Sequence, residues 1–266
     1  MTPLFISSAQ NPKIKRLMLL QKKSSERRKA GLFVVEGRRE LEHCIEAGLK
    51  IDSVYFCRSF GGGEIGLQKF GSECYEVSPE VYEKIAYRGS TEGVMALVRP
   101  CPLSLATLKL GKAPLLVVLE SVEKPGNLGA ILRSADASGV DAVIVCDPLT
   151  DLYNPNLIRS SVGAFFSVPC VACTSGECIS WLKNNKIQIL TAQLQDSKLY
   201  YDTPMTGGTA IVMGTEATGL TDEWRLAADA HIRIPMLGRI DSLNVSVSAA
   251  ILMFEAVRQR KMAGQM

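Results

Sequence analysis

Residues 234–257, IPMLGRIDSLNVSVSAAILMFEAV, decide how this chain is read. The end of a short apolar strand at Ile234 runs into a Gly/Asp/Ser/Asn loop, and the loop leads straight into an apolar helix. Polar groups gathered at a strand-to-helix junction are the usual way for α/β proteins to hold small ligands. Two earlier stretches have the same character: 117–139, VVLESVEKPGNLGAILRSADASG, and 210–220, AIVMGTEATGL. Each places Gly, Asn, Arg or Glu directly behind a strand-like run, so the three loops imply one shared site.

Outward from these junctions, strand-like runs recur as LLVVLE (115–120), AVIVCD (142–147), IQILTAQ (187–193), TAIVMG (209–214) and HIRIP (231–235), with helical stretches between most of them. Continuous apolar runs predict a parallel sheet covered on both faces, a doubly wound α/β domain. The first hundred residues alternate too. FVVEG (33–37), the helix-like RRELEHCIEAG (38–48), SVYFC (53–57), YEVS (75–78) and GVMALVRP (93–100) predict a smaller α/β sandwich. Residues 99–114 carry three prolines and no strand pattern, which reads as a linker and sets a boundary near residue 105, dividing the chain into 1–105 and 106–266. The Gly61–Gly63 run has neither a P-loop lysine nor a GxGxxG frame and reads as a flexible surface turn.

The 266 residues are enough for two domains. No apolar run approaches the ~20 residues that span a bilayer, and the N-terminus lacks a signal-peptide pattern, so a cytoplasmic protein without membrane attachment is expected. The eight cysteines are scattered, several within apolar runs, which suits a reducing compartment. Cys170, Cys173 and Cys178 offer one CxxC with no second pair and no nearby histidine, so no metal is predicted. The net charge of +3 is uneven: Lys13, Lys15, Arg16, Lys22, Lys23, Arg27, Arg28 and Lys29 face the single Glu26, a balance of +7 over residues 1–30 that leaves −4 on the rest. Such a patch attracts phosphate backbones, although a solvated helix face reads the same way. SVEKPGNLG, behind the first strand of the second half, has no GxGxxG spacing, which argues against a Rossmann dinucleotide site. His43 and His231 have no Ser or Cys nucleophile motif beside them, which disfavours a hydrolase triad.

Asn127 and Arg133 in NLGAILRSA, Glu216 in GTEATG, and Ser242 with Asn244 in SLNVSVSAA resemble, in the same order, the three motifs of the SpoU/TrmH branch of the SPOUT RNA methyltransferases. The opening segment resembles the L30e-like substrate-binding domain that precedes many of these catalytic domains. The resemblance implies methyl transfer from S-adenosylmethionine to a ribose 2′-hydroxyl of RNA, ribosomal rather than transfer RNA, by a homodimer whose C-terminal chain threads a trefoil knot. A non-catalytic RNA-binding or ribosome-assembly factor that keeps the fold is the competing reading.

Under this reading the tight loops hold the cofactor through Met213, Gly214, Glu216, Gly219, Ile234, Met236, Ser242, Leu243, Asn244 and Val245, the small residues allowing close backbone approach. The apolar members, with Leu220, either sandwich the adenine or serve as ordinary core. Five residues are the catalytic candidates. Arg133 is the family's catalytic arginine; a guanidinium stays protonated in nearly every setting, which favours binding a phosphate and stabilising the developing 2′-oxyanion over acting as base. Its alternative is a helix-face pair with Asp136. Asn127 either meets the ribose, orients Arg133 or caps its helix. Glu216 accepts from Arg133 or the ribose, or is a solvated loop acid. Ser242 and Asn244 bond cofactor or ribose hydroxyls, or cap the last helix. Lys13, Lys15, Arg16, Lys22, Lys23, Arg27, Arg28 and Arg133 are the expected RNA contacts.

Overall fold

In a computed structural model, residues 3–62, 73–87 and 92–265 are described. The chain divides into two compact units, one of residues 1–101 and 151–166, the other of 102–150 and 167–266. Among the described residues no helix is long and apolar enough to cross a membrane.

The first unit runs β1 (Leu4–Ile6), α1 (Pro12–Lys22), α2 (Ser24–Ala30), β2 (Phe33–Glu36), α3 (Arg38–Glu46), β3 (Ile51–Phe56), β4 (Glu73–Val77), α4 (Pro79–Ile85) and β5 (Val94–Val98). Its sheet has the order β1-β4-β3-β5-β2, with β1, β4 and β3 parallel to one another and β5 antiparallel to β3 and β2. The strand period of two separates the faces. Val34 joins Ile14, Leu17 and Leu20 of α1 and Val81 and Tyr82 of α4 on one side, while Phe33 and Val35 join Leu41 of α3 on the other. That second core also takes Ile158, Tyr153, Phe165 and Phe166 from the inserted segment. Helix α1 starts where Asn11 accepts from the Lys13 amide and Pro12 opens the first turn, as those residue types favour. The glycine run differs from its reading as a surface turn. Gly62 is buried, and a Cβ there would run into the backbone of Gly93 and Cys57, so the requirement is steric; Gly63 lies outside the described residues.

The second unit contains β6 (Leu115–Glu120), α5 (Pro125–Ser138) and β7 (Ala142–Cys146) before the chain passes through α6 (Pro155–Ser161) of the first unit and α7 (Ala164–Ser167). There follow β8 (Cys170–Cys173), α8 (Ser175–Asn184), β9 (Gln188–Ala192), β10 (Lys198–Leu199), β11 (Thr209–Met213), α9 (Asp222–Ala227), β12 (Ala230–Arg233) and α10 (Val245–Met262). All seven strands are parallel, in the order β10-β12-β9-β11-β6-β7-β8. Strands β8 and β10 escaped the sequence reading because they are only 4 and 2 residues long. The proline-rich stretch is not a free linker: Leu103 bridges to Val171, and Leu105, Leu108 and Leu110 pack on the core of this unit. At the far end of α10, buried Arg260 donates to the carbonyls of Ala113, Pro114, Met205 and Gly207, fixing the helix to the N-terminal edge of the sheet. Because β12, β9, β11 and β6 are neighbours and parallel, the loops that leave their C-terminal ends meet.

Candidate active site

Behind β11 the chain makes a tight loop closed by reciprocal bonds, Thr215 N to Gly219 O at 3.2 Å and Gly219 N to Thr215 O at 3.1 Å. A Cβ on Gly214 would occupy the backbone of Gly219 and Leu220, so only glycine allows this closure. The loop carries Glu216 to a meeting of three junctions. Its Oε1 accepts from Asn127 Nδ2 at 3.1 Å and Asn244 Nδ2 at 2.9 Å, and its Oε2 accepts from Lys124 Nζ at 2.5 Å. Asn244 Nδ2 also donates to Asn127 Oδ1 at 3.1 Å. The Lys124 ammonium, helped by Asn127, holds the Glu216 carboxyl below its usual range, and Glu216 in turn raises Lys124. The result is an oriented carboxylate whose ionised form is favoured.

These positions revise several expectations. Asn127 does not cap α5: Lys124 occupies the cap and Pro125 opens the helix, which leaves the Asn127 side chain free for the network. Asn244 does cap α10, its Oδ1 accepting from the Ser246 amide at 3.0 Å. Ser242 caps nothing and donates to Asp241 at 3.2 Å. Glu216 does not accept from Arg133. Arg133 is exposed on α5 and has no hydrogen-bond or ion-pair partner among the described residues, and Asp136 accepts instead from Ser167 Oγ at 2.6 Å. Lys124 did not stand out in the sequence; its signal was a lysine directly before the Pro-Gly that opens α5.

Next to the network lies a cavity of about 370 Å³. Met213, Gly214, Glu216, Gly219, Ile234, Met236, Ser242, Leu243 and Val245 line it, with Leu220, whereas Asn244 does not. The sequence reading did not reach Gln193, Leu194 and Gln195, which follow β9, or Arg225 of α9 and Ser248 and Leu252 of α10. Gln193 Oε1 and Arg225 Nε are buried atoms with no partner among the described residues, and both belong to lining residues. A buried polar atom left unpaired is costly, so these two mark where a polar ligand atom fits.

Of the basic N-terminal residues, Lys13, Lys15, Arg16, Lys22, Lys23 and Arg28 are exposed. Lys13 sits 3.4 Å from Glu73 Oε2 and 4.5 Å from the centre of the Tyr75 ring. Arg27, expected at the RNA surface, is instead buried. It is 5% exposed, donates to Leu20 O and Gln21 O, and pairs with Asp151 at 2.6 Å. The cysteines also regroup. Cys170 and Cys173 are three apart on β8 and so point to opposite faces, and the thiol that joins Cys173 and Cys178 is that of Cys146.

A sequence model of the SpoU rRNA methylase family matches residues 114–254, and a model of the MRM3-like substrate binding domain matches residues 11–96. The chain is 29% identical to the 23S rRNA (guanosine(2553)-2′-O)-methyltransferase RlmP of Bacillus subtilis, over 94% of this chain and 97% of that one. It is 39% identical to the 23S rRNA (guanosine-2′-O-)-methyltransferase RlmB of Escherichia coli K12, over 64% and 72%. The crystal structure of an AdoMet-bound rRNA methyltransferase from Sinorhizobium meliloti superposes with a TM-score of 0.87 at 27% identity, covering 96% of this chain and 97% of the other.

Proposed function

The chain belongs to the SpoU rRNA methylase family, and from that premise we propose that it transfers the methyl group of S-adenosylmethionine to a ribose 2′-hydroxyl of ribosomal RNA. The observation that carries this reading is the convergence of Asn127, Glu216 and Asn244, from three separate strand-to-helix junctions, beside a cavity whose volume falls within the ~300–1,000 Å³ of small-ligand pockets.

The residues present suit the cofactor. Gly214 and Gly219 let loop backbone approach it, Leu220, Leu243 and Val245 offer apolar walls for a base, and the unpaired atoms of Gln193 and Arg225 offer polar contacts. The guanidinium of Arg225 matches a carboxylate such as that of an amino-acid tail. When bound, S-adenosylmethionine supplies an electrophilic methyl on a positively charged sulfur. The work left to the chain is alignment and help with a poorly acidic hydroxyl.

A carboxylate has about four acceptor positions. On Glu216 the side chains of Lys124, Asn127 and Asn244 and the Val245 amide take them up, which fixes the carboxylate in one orientation beside the cavity and next to the ribose. Arg133, exposed on α5 and without a protein partner among the described residues, suits a substrate phosphate and the charge that develops on the 2′-oxygen. Ser242 lines the cavity and reaches ligand hydroxyls. The N-terminal unit serves as the RNA-binding part, through Lys15, Arg16, Lys22, Lys23 and Arg28.

The same reading makes the enzyme a cytoplasmic homodimer with its C-terminal segment threaded as a trefoil knot. Val247 and Phe254, each 48% exposed and two turns apart on one face of α10, suit a second copy. Incubation with methyl-labelled S-adenosylmethionine and ribosomal RNA from a strain deleted for the gene should label RNA, with the methyl mapping to one ribose. Cofactor binding without transfer to any RNA would reverse the conclusion in favour of the non-catalytic reading. Elution as a monomer at micromolar concentration would remove the dimer.

A further inference from the structure

Three thiols stand together in the second unit, apart from the cavity and the Glu216 network. Cys146 closes β7 and Cys173 closes β8; the two are direct partners in the parallel ladder, so their side chains leave the sheet on one face. Cys178 is the fourth residue of α8, whose cap is Thr174. Residues just before a helix cap and four places after it face each other across the first turn, which brings Cys178 over Cys173. The three sulfurs lie within 4.8 Å of one another, with Cys146 and Cys173 at 3.9 Å. Thiolates placed tetrahedrally about 2.3 Å from an ion are about 3.8 Å apart, so the ring of sulfurs needs to close by an ångström or less. No histidine or carboxylate joins the group among the described residues, so the donor set is purely soft sulfur.

We propose that Cys146, Cys173 and Cys178 form a binding site for a thiophilic d10 metal ion, zinc(II) or copper(I). Each thiol that ligates gives up its proton to solvent, so uptake releases up to three protons and changes no oxidation state. Cys146 and Cys178 are fully buried and Cys173 is partly exposed, which makes the Cys173 side the way in and the place for a water as fourth ligand on zinc. The ion would tie the ends of β7 and β8 to α8. Leu220 and Trp224 share the apolar cluster of Cys146 and Cys178, and Trp224 Nε1 donates to Ser175 Oγ at 2.9 Å, so the tie shares its core with the segment that follows the Glu216 loop.

The test uses the full chain, reduced and stripped of metal under argon, titrated with zinc(II) against a chromophoric chelator and with copper(I) against bicinchoninate. One equivalent of at least one ion should bind, with a rise in Tm, and the two arms identify which. Cys101→Ser and Cys170→Ser should bind as the unaltered chain does, while Cys173→Ser should weaken binding by about 100-fold or more. Cys173 carries the test because it is the partly exposed member, so its variant folds even where Cys146→Ser does not. Equal binding by Cys173→Ser and the unaltered chain, or no ion held in the micromolar range, overturns the site and leaves three core thiols.

Discussion

Replacing Asn244 by aspartate separates two tasks that one side chain performs. Its Oδ1 caps α10 by accepting from the Ser246 amide at 3.0 Å, and its Nδ2 donates to Glu216 Oε1 at 2.9 Å and Asn127 Oδ1 at 3.1 Å. Aspartate caps as well as asparagine and its charge is favoured at a helix N-terminus, so α10 keeps its start. Alanine loses the cap, about 1 kcal/mol, which lowers Tm by about 2–4 °C in a chain of this size. On the other side, aspartate presents an oxygen where a donor stood, facing two acceptors at close to 3 Å. The Lys124 ammonium favours the ionised Glu216 carboxyl and so opposes relief of the conflict by uptake of a proton. The aspartate is pushed away from Asn127 Oδ1 and Glu216 Oε1, and the orientation of the Glu216 carboxylate toward the ribose is lost.

Asn244→Asp should therefore melt close to the unaltered protein yet turn over about 100- to 1,000-fold more slowly, the range seen when one transition-state hydrogen bond is removed. Because Asn244 does not line the cavity, the Kd for S-adenosylmethionine should stay within about threefold, or roughly 0.7 kcal/mol. Differential scanning fluorimetry, calorimetric titration of the cofactor and single-turnover transfer to a ribosomal RNA fragment measure the three quantities. Normal turnover in a normally folded Asn244→Asp protein refutes the reasoning. So does a drop in Tm as large as that of Asn244→Ala, since the cap would then not be what aspartate preserves.

Arg133→Ala should leave stability within about 0.5 kcal/mol, as expected for an exposed side chain with no partner, while transfer falls at least about 100-fold; unaltered single-turnover rates would remove Arg133 from the chemistry. Arg27→Ala breaks a buried pair and should cost about 3–5 kcal/mol in urea unfolding, whereas the double change Lys22→Ala and Lys23→Ala should leave unfolding alone and reduce the salt slope of RNA binding by about 0.7–0.9 for each phosphate no longer neutralised. The opposite pattern would exchange their roles. Burial pushes the Glu36 carboxyl up to about 7, against the pull of the Tyr87 amide. A raised folded pKa means that its contribution is complete below about pH 4.5 and is lost as pH climbs through about 7, so the first unit should weaken across that window. Glu36→Gln should flatten the slope, and an unchanged pH profile of chemical unfolding would dismiss it.

The junction residues were legible in the sequence because each lies within a few positions of a strand end, and the strand runs announce themselves by unbroken apolar stretches. What joins the junctions was not legible. Gln193 to Gln195 reach the cavity because β9 is inserted between β12 and β11, an order that no local pattern encodes. Cys146 meets Cys173 for the same reason, through pairing of strands 27 residues apart. Arg27 read as one more member of a basic run, since charge counts do not distinguish a guanidinium in solvent from one spent on Leu20 O, Gln21 O and Asp151. Lys124 is as ordinary as any surface lysine until the fold sets Glu216, 92 residues later, beside it.

The first unit is written in two pieces, and this affects how it comes to exist. Phe33 and Val35 have their outer face covered by Ile158, Tyr153, Phe165 and Phe166, which are made after the last strand of that sheet. On a ribosome adding about 5–20 residues per second, the 65 residues from Cys101 to Phe166 take roughly 3–13 s, during which that face of the five-stranded sheet is covered by α3 alone. A fragment cut at the end of the N-terminal sequence would stay in that state and be prone to stick to itself. Dissection of the RNA-binding part should instead graft residues 151–166 back onto residues 1–101.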